Sequence, residues 1–561
     1  MRRLTIWIEA NRKKAWFAVG LNVLVLAIML LLMVPSFESN DDITMSELVN
    51  GALGVHDAHL VFQNYLLGLL YKALYTWAGS LAWYSIVQYV FLLIAFSVVT
   101  YVILQRVDDY SGLCVCIVLL IFFAYECYFK LQFTKTAGVV GAAAVFLLFY
   151  AVSGENVSWK MILFGELLGC VGSMFRYRQF LACGAMMGGI GIYFLLELKK
   201  KFRGQCVKRL ALYAVTFGSL VLLAYGFHVI DKKVYNSDAE WAYYMKFTKS
   251  RAQLQDRGFP DYDTYEEAYQ SLGLNYDAYI LYRGLDINDP DIFSLETMQE
   301  LVSIKPKQMI SGAFLKRFLK DLTPYHFETP VFYCFLVMFL FWLFWGDHKW
   351  RTVFAVLAEL FFFEIIYFYM FYDGRYLINR VDVGLWFAAS LVMLWFLRPE
   401  KVKLSRRSCI IFCLIILILN QRSWNGDWRI NSEEHYASMK EHRETLESLS
   451  ADKEHLYLAK VIGTISGSAS YGPFDQMPAG LLDNICWLGG WEINTAPCRN
   501  VLDQYGIRNP YKDMVGNENV RLIDNNIELT MRYIRTYYNE NAKAVCVGKI
   551  GSCKIYQIEA Q

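Results

Sequence analysis

The sequence predicts an all-α polytopic membrane bundle of about 11 transmembrane helices, with an extracytoplasmic insert and a small C-terminal α/β domain. Three observations predict it. First, the 561 residues are 56% hydrophobic and only 19% charged, against about 45–50% and about 25% in soluble domains; the mean hydropathy is +0.28. Second, the apolar residues fall in long runs separated by short loops. Third, loops rich in Lys and Arg alternate with loops that carry isolated acids and bases, which is the charge pattern that orients membrane proteins.

The first span, 15–34, follows Arg2-Arg3 and Arg12-Lys13-Lys14. It is longer than the apolar core of a signal peptide, and Pro35-Ser36-Phe37 offers no small-x-small cleavage site. It reads as an uncleaved helix with a cytoplasmic N-terminus. The remaining spans are expected at 82–104, 112–128, 137–152, 160–175, 179–196, 210–229, 331–345, 352–371, 382–397 and 407–420. This count places the basic loops LKKKFRGQCVKR and RPEKVKLSRRS inside. Segment 60–79 would invert both if it crossed, and it carries Gln63, Asn64 and Lys72. It is expected to lie at the outer interface.

The chain divides into an N-terminal transmembrane module (1–229), a polar insert (230–330), a second transmembrane module (331–420) and a terminal domain (421–561). In the terminal domain, 433–449 and 527–538 read as helices. Segments 520–523, 544–547 and 554–558 read as strands. Seven cysteines, at 114, 116, 170, 183, 334, 409 and 413, fall in apolar spans as small core residues. The terminal domain's Cys486, Cys498, Cys546 and Cys553 allow disulfides 486–498 and 546–553 outside the cytoplasm, and none has CxxC spacing.

Chemistry-bearing residues gather in the loops assigned to the outer side. The first loop opens with Asp41 and Asp42. Asp42 fits a cap of a helix starting near Ile43, and Thr44-x-x-Glu47 fits a capping box. Either aspartate also suits a general base acting on a hydroxyl. Further on come His56, Asp57 and His59. A carboxylate with His can orient an acceptor or hold a divalent cation, the one cofactor considered, with Asp42, Asp57 and His59 as the candidate ligands. In the second loop, Lys130 either pairs with Glu126 at its helical spacing or joins the substrate-binding cations. Lys135 has no such neighbour, and a cation near a helix N-terminus suits a bound anion. Thr134 and Thr136 offer hydroxyls beside it.

The third loop is nearly absent, yet holds Arg176 and Arg178. These either snorkel to headgroups or form a fork for phosphate. Arg375 and Arg380 in the fifth loop again put cations on the side where the charge bias disfavours them. Glu166, Glu359 and Glu364 lie within spans and are expected to face the bundle interior.

NDDITMSELV, FTKTAG, FRYRQF and DGRYLINR together resemble the GT-C superfamily of membrane glycosyltransferases, as do PFDQMPAGL and DNICWLGGWEIN near the C-terminus. The resemblance implies a bacterial cytoplasmic-membrane enzyme with a polyprenyl-phosphate-linked sugar donor and a glycan or lipid acceptor of the cell surface. It implies Asp41 or Asp42 as base, with Lys135, Arg176, Arg178, Arg375 and Arg380 on the donor phosphate. Transfer would invert the anomeric carbon. Competing readings are a polysaccharide polymerase or ligase, a lipid-linked glycan transporter, and an inactive scaffold. Nucleic acid is excluded as a partner, because the basic residues sit in short loops between spans rather than on one face.

Overall fold

A computed structural model describes residues 2–107, 109–306, 308–374, 378–424, 428–461 and 470–560. The chain is mainly helical, with one small sheet in its terminal part. All eleven expected segments are helical. Among the described residues six helices are long and apolar enough to cross a membrane: Ala15–Leu32, Trp83–Arg106, Tyr110–Phe129, Phe133–Ser153, Cys206–Ser237 and Trp350–Tyr372. Two bent pairs, Tyr177–Met186 with Gly188–Lys201 and Gly312–Glu328 with Pro330–Trp345, bring the number to as many as eight.

Phe133–Ser153 is the axle of the bundle, buried along nearly its whole length. Its first half, TKTAGVVGAAA, is small-residue-rich, which lets neighbouring backbones close in without a hydrophobic driving force. A Cβ built on Gly138 would meet the Gly384 Cα at 2.7 Å, and one on Gly141 would meet the Phe180 ring at 2.9 Å. Asn379–Trp395 and Tyr177–Met186 therefore seat directly on the axle.

Loops of the two charge classes segregate to opposite ends. At one end Arg12 donates to the Val107 carbonyl, Arg106 to the Trp395 carbonyl, Arg351 to Glu197, and Arg398 to Asp347. At the other end strand β1 (Ser36–Phe37) pairs in parallel with β2 (Lys130–Leu131), and Asn379 reaches Glu38 and Glu126. Segment 60–79 contains the helix Tyr65–Trp77, which packs Leu67, Tyr71 and Tyr75 inward and leaves Leu69, Leu70 and Trp77 exposed.

The terminal part holds β3 (Leu456–Ala459), β4 (Ile485–Trp487), β5 (Val520–Ile523), β6 (Lys543–Ile550) and β7 (Cys553–Glu559), in the order β4-β3-β5-β7-β6. The three parallel strands are the apolar ones, and β3 is buried along its length. The helices Glu433–Ala451 and Ile527–Tyr537 stand where 433–449 and 527–538 were expected. The 546–553 disulfide is corrected: the hairpin register sets Cys546 opposite Tyr556 and Cys553 opposite Ile550. Cys486 and Cys498 are likewise free thiols.

First loop, insert and terminal part share one hydrophobic core. The terminal part rests on the first loop through Gly480 N–H to the Gly51 carbonyl and Leu482 N–H to the Ala52 carbonyl. The insert is tied on by Asp289, which accepts from Tyr533 and Tyr538 hydroxyls at 2.7 and 2.6 Å.

Candidate functional site

Asn40–Asn50 is a helix, with Asp41 and Asp42 in its first turn, where the dipole favours acids. Consecutive side chains on a helix point about 100° apart, so the two part company. Asp42 turns into the bundle and is fully buried. Its Oδ1 accepts from the Tyr84 hydroxyl at 2.9 Å and from the Phe133 N–H at 3.1 Å. The expectation that Asp42 caps its own helix is thus corrected. That helix starts at Asn40, and the carboxyl instead meets the first N–H of the Phe133–Ser153 helix. Burial lifts the Asp42 carboxyl to about 8, with Asp41's charge adding and the bonds from Tyr84, Phe133 and Gln88 opposing.

Asp41 stays partly exposed. It is 14% exposed and takes a 2.9 Å ion pair from Arg380, itself 30% exposed. Next to it, Lys135 is fully buried and holds Glu126 Oε2 at 2.8 Å and Glu38. Asn379 donates to both of those carboxylates. The expectation that Lys135 lacks an acidic partner is therefore corrected. Tyr125–Phe129 is wound as a π-helix, and its wider turn carries Glu126 to Lys135. Lys130 lies instead over the Tyr125 ring at 5.6 Å. Thr136 is also engaged internally, donating to Gln88.

Arg176 sits at the break between Trp159–Phe175 and Tyr177–Met186. Its guanidinium lies over the rings of Phe62 and Phe133 at 5.3 and 5.1 Å. Phe133 links it to Asp42, because the same residue supplies the N–H that Asp42 accepts. Arg178 is exposed and points elsewhere, near His228, which stacks on Tyr177 at 4.3 Å. Arg375 lies outside the described residues.

The histidines do not join the aspartates. His56 Nδ1 bonds the Val49 carbonyl at 2.8 Å. His59 Nδ1 bonds Asp57 at 2.7 Å, and its ring is walled by Trp241, Tyr65 and Tyr235 at 4.5, 4.7 and 5.1 Å. Aromatic walls and a separate hydrogen-bond set divide Asp57 and His59 from Asp42, which corrects that trio as a ligand set. Among the described residues no three His, Cys, Asp or Glu side chains gather as a metal site.

Several participants carried no sequence signal for the contacts they make. Glu38 and Glu126 are far from Lys135 in helical terms, and Asn379 stood unremarked beside Arg380. The terminal loop LGGWEIN folds back on the site: the Trp491 ring lies 4.7 Å from Phe62, and its carbonyl accepts from Tyr244 at 2.8 Å. Gly489 permits this, since a Cβ there would meet the Leu285 carbonyl oxygen at 1.6 Å. Glu492 feels Asp41 and Arg251, and shares a cavity of about 10 Å³, enough for one water, with Glu47. Burial raises Glu492 to about 7 and Glu47 to about 8, the pair repelling one another. The Thr44–Glu47 capping box is therefore not formed. Of the acids expected to face inward, Glu359 is fully buried, Glu166 takes a 2.7 Å bond from Ser219, and Glu364 is exposed on the bundle surface.

No protein family and no curated protein matches this chain. Among solved structures it is similar to ArnT from Cupriavidus metallidurans bound to undecaprenyl phosphate. The identity is 8% and the TM-score 0.42, over 96% of this chain and 97% of that one. Likeness of that size leaves function to be read from the residues themselves.

Proposed function

We propose that this protein is an inverting membrane glycosyltransferase that moves a sugar from a polyprenyl-phosphate donor to a cell-surface glycan or lipid acceptor. The reaction would occur at the outer face of the bacterial cytoplasmic membrane, with the insert and terminal part extracytoplasmic. One observation carries the reading. At one end of a helical bundle Arg380 pairs with the partly exposed Asp41, and Arg176 lies over the Phe133 ring, whose N–H the neighbouring Asp42 accepts.

Asp41 is the base and Asp42 its anchor. The acceptor O–H gives its proton to Asp41, and the acceptor oxygen bonds to the anomeric carbon. The bond from that carbon to the donor phosphate breaks, and its electron pair stays on the phosphate oxygen. Arg176 and the outer edge of Arg380 would stabilise this developing charge. A single displacement inverts the centre. Lys135, enclosed by carboxylates, holds the frame rather than the phosphate. Arg178 would meet the lipid away from the reacting centre.

Mass spectrometry of lipids co-purifying with wild type and with an Arg176→Ala/Arg380→Ala double variant tests the donor site. A polyprenyl phosphate kept by wild type and lost in the variant supports it; equal bulk phospholipid alone in both refutes it. In a transfer assay Asp41→Asn should lose about 10²–10⁴-fold in rate, and Asp42→Asn far less.

A further inference from the structure

The insert closes with the helix Gly312–Glu328, started by Phe314 N–H donating to Ser311 Oγ at 3.2 Å. One stripe is buried: Phe314, Phe318 and Leu322. Phe314 and Phe318 pack on Phe368 and Phe371 of the Trp350–Tyr372 span, with centroids 5.2–5.7 Å apart. Beside that stripe, one turn apart, stand Leu315 and Leu319, which are 44% and 63% exposed. Met309 and Ile310, just before the helix, are 78% and 59% exposed. Next around the helix come Lys316 and Lys320, both exposed. Arg317 follows, held by Asp321 at 3.7 Å. A second apolar edge flanked by lysines is the pattern of a helix lying in a membrane interface.

The axis direction agrees. Gly312–Glu328 meets Pro330–Trp345 at 85°. Pro330–Trp345 carries no charged residue and packs along Asn379–Trp395, burying Val331, Cys334 and Met338. It thus runs with the bundle, along the membrane normal. A helix at right angles to it lies parallel to the membrane plane. Four charges within six residues, Lys316 to Asp321, keep it out of the hydrocarbon. Its seat against Phe371 puts it at the bundle end that holds Asp41.

We infer that Gly312–Glu328 docks on an anionic phospholipid leaflet, with Leu315 and Leu319 in the acyl boundary and Lys316 and Lys320 on headgroup phosphates. This goes beyond the transferase reading and does not depend on it. The anchor also braces the Trp350–Tyr372 span at Phe368 and Phe371, the end that leads toward Asn379 and Arg380.

The test uses full-length protein in nanodiscs of equal phosphatidylglycerol and phosphatidylcholine. A photoreactive benzoylphenylalanine replaces Leu319, or, as a control, exposed Val547 in the terminal sheet. After irradiation, mass spectrometry should find phospholipid adducts at 319 and none at 547. Phosphatidylglycerol should be over-represented, and Lys316→Glu with Lys320→Glu should cut that preference by about fivefold per lysine without shifting Tm. Adduct yield at 319 as low as at 547 would overturn the inference, as would crosslinks to a second polypeptide. A lipid ratio equal to the mixture and blind to the lysine changes would overturn the choice of an anionic leaflet.

Discussion

Replacing Asp42 by Asn should stabilise this protein, and the gain should grow with pH. Asn keeps an oxygen for the Tyr84 hydroxyl and the Phe133 N–H, and it removes only the titrating group. In the unfolded chain the carboxyl ionises near 3.8, whereas in the fold burial holds it to about 8. Between those values the folded state binds the extra proton, so wild-type stability falls as pH rises. The loss begins near pH 4 and levels off above 8. At about 1.4 kcal/mol per pH unit, it reaches on the order of 5 kcal/mol. Between pH 5 and pH 8.5 the difference between the proteins should widen by about 4 kcal/mol.

A chain of this length unfolds with an entropy that converts each kcal/mol to about 1 °C, so the variant's Tm advantage should grow by about 4 °C. Intrinsic tryptophan fluorescence during heating, at matched scan rates in one detergent, measures it. Glu47 and Glu492 are also raised by burial, but they titrate in both proteins and largely cancel in the difference. Asp42→Leu is the control: it orphans the Tyr84 and Phe133 donors and should be less stable at low pH. A Tm difference that does not change with pH, or an Asn variant weaker than wild type at pH 8.5, would refute the reasoning.

Lys135→Met strands Glu38 and Glu126 without their shared cation and should cost about 3–5 kcal/mol; adding Glu126→Gln should recover part of the lost Tm. Gly384→Ala puts a methyl 2.6 Å from Gln179 Nε2 and 2.9 Å from the Gly138 Cα, and should cost about 1–3 kcal/mol, while Gly184→Ala, with open space, should leave Tm unchanged. Arg380→Gln breaks a partly exposed pair and should cost under about 1 kcal/mol in stability, yet it should weaken polyprenyl-phosphate retention in a lipid-binding assay.

Helices were legible because hydrophobic runs and basic loops are local features. The segregation of loops to two ends followed from the alternation of charge along the chain. Contacts that build the site were less legible, because they depend on where the chain doubles back. Nothing in YECYFKLQFTK announces a π-turn that hands Glu126 to Lys135 rather than to Lys130. The acidic pair was recognised from its position, but capping rules look only at the helix an aspartate begins. Asp42 serves the N-terminus of a different helix, ninety-one residues away. The terminal loop's reach to Phe62 was hidden for the same reason, since Gly489 signals a close approach without naming its partner. The amphipathic helix at 312–328 was masked by averaging: a window over the polar insert dilutes a stripe of Phe and Leu.

Adjacency of the two aspartates now has a physical account. A buried carboxyl that is neutral at ordinary pH can tie Tyr84, the axle helix and the first loop together without demanding a counter-charge. Its neighbour, rotated by one helical step, stays partly exposed and pairs with Arg380. Were both exposed, nothing would fix their helix to the bundle. Were both buried, their charges would oppose each other in a medium that screens poorly. The lysine beneath them follows the same logic. Glu38 and Glu126 converge where β1 meets β2, and Lys135 bridges the two there, which leaves Arg380 to pair with Asp41.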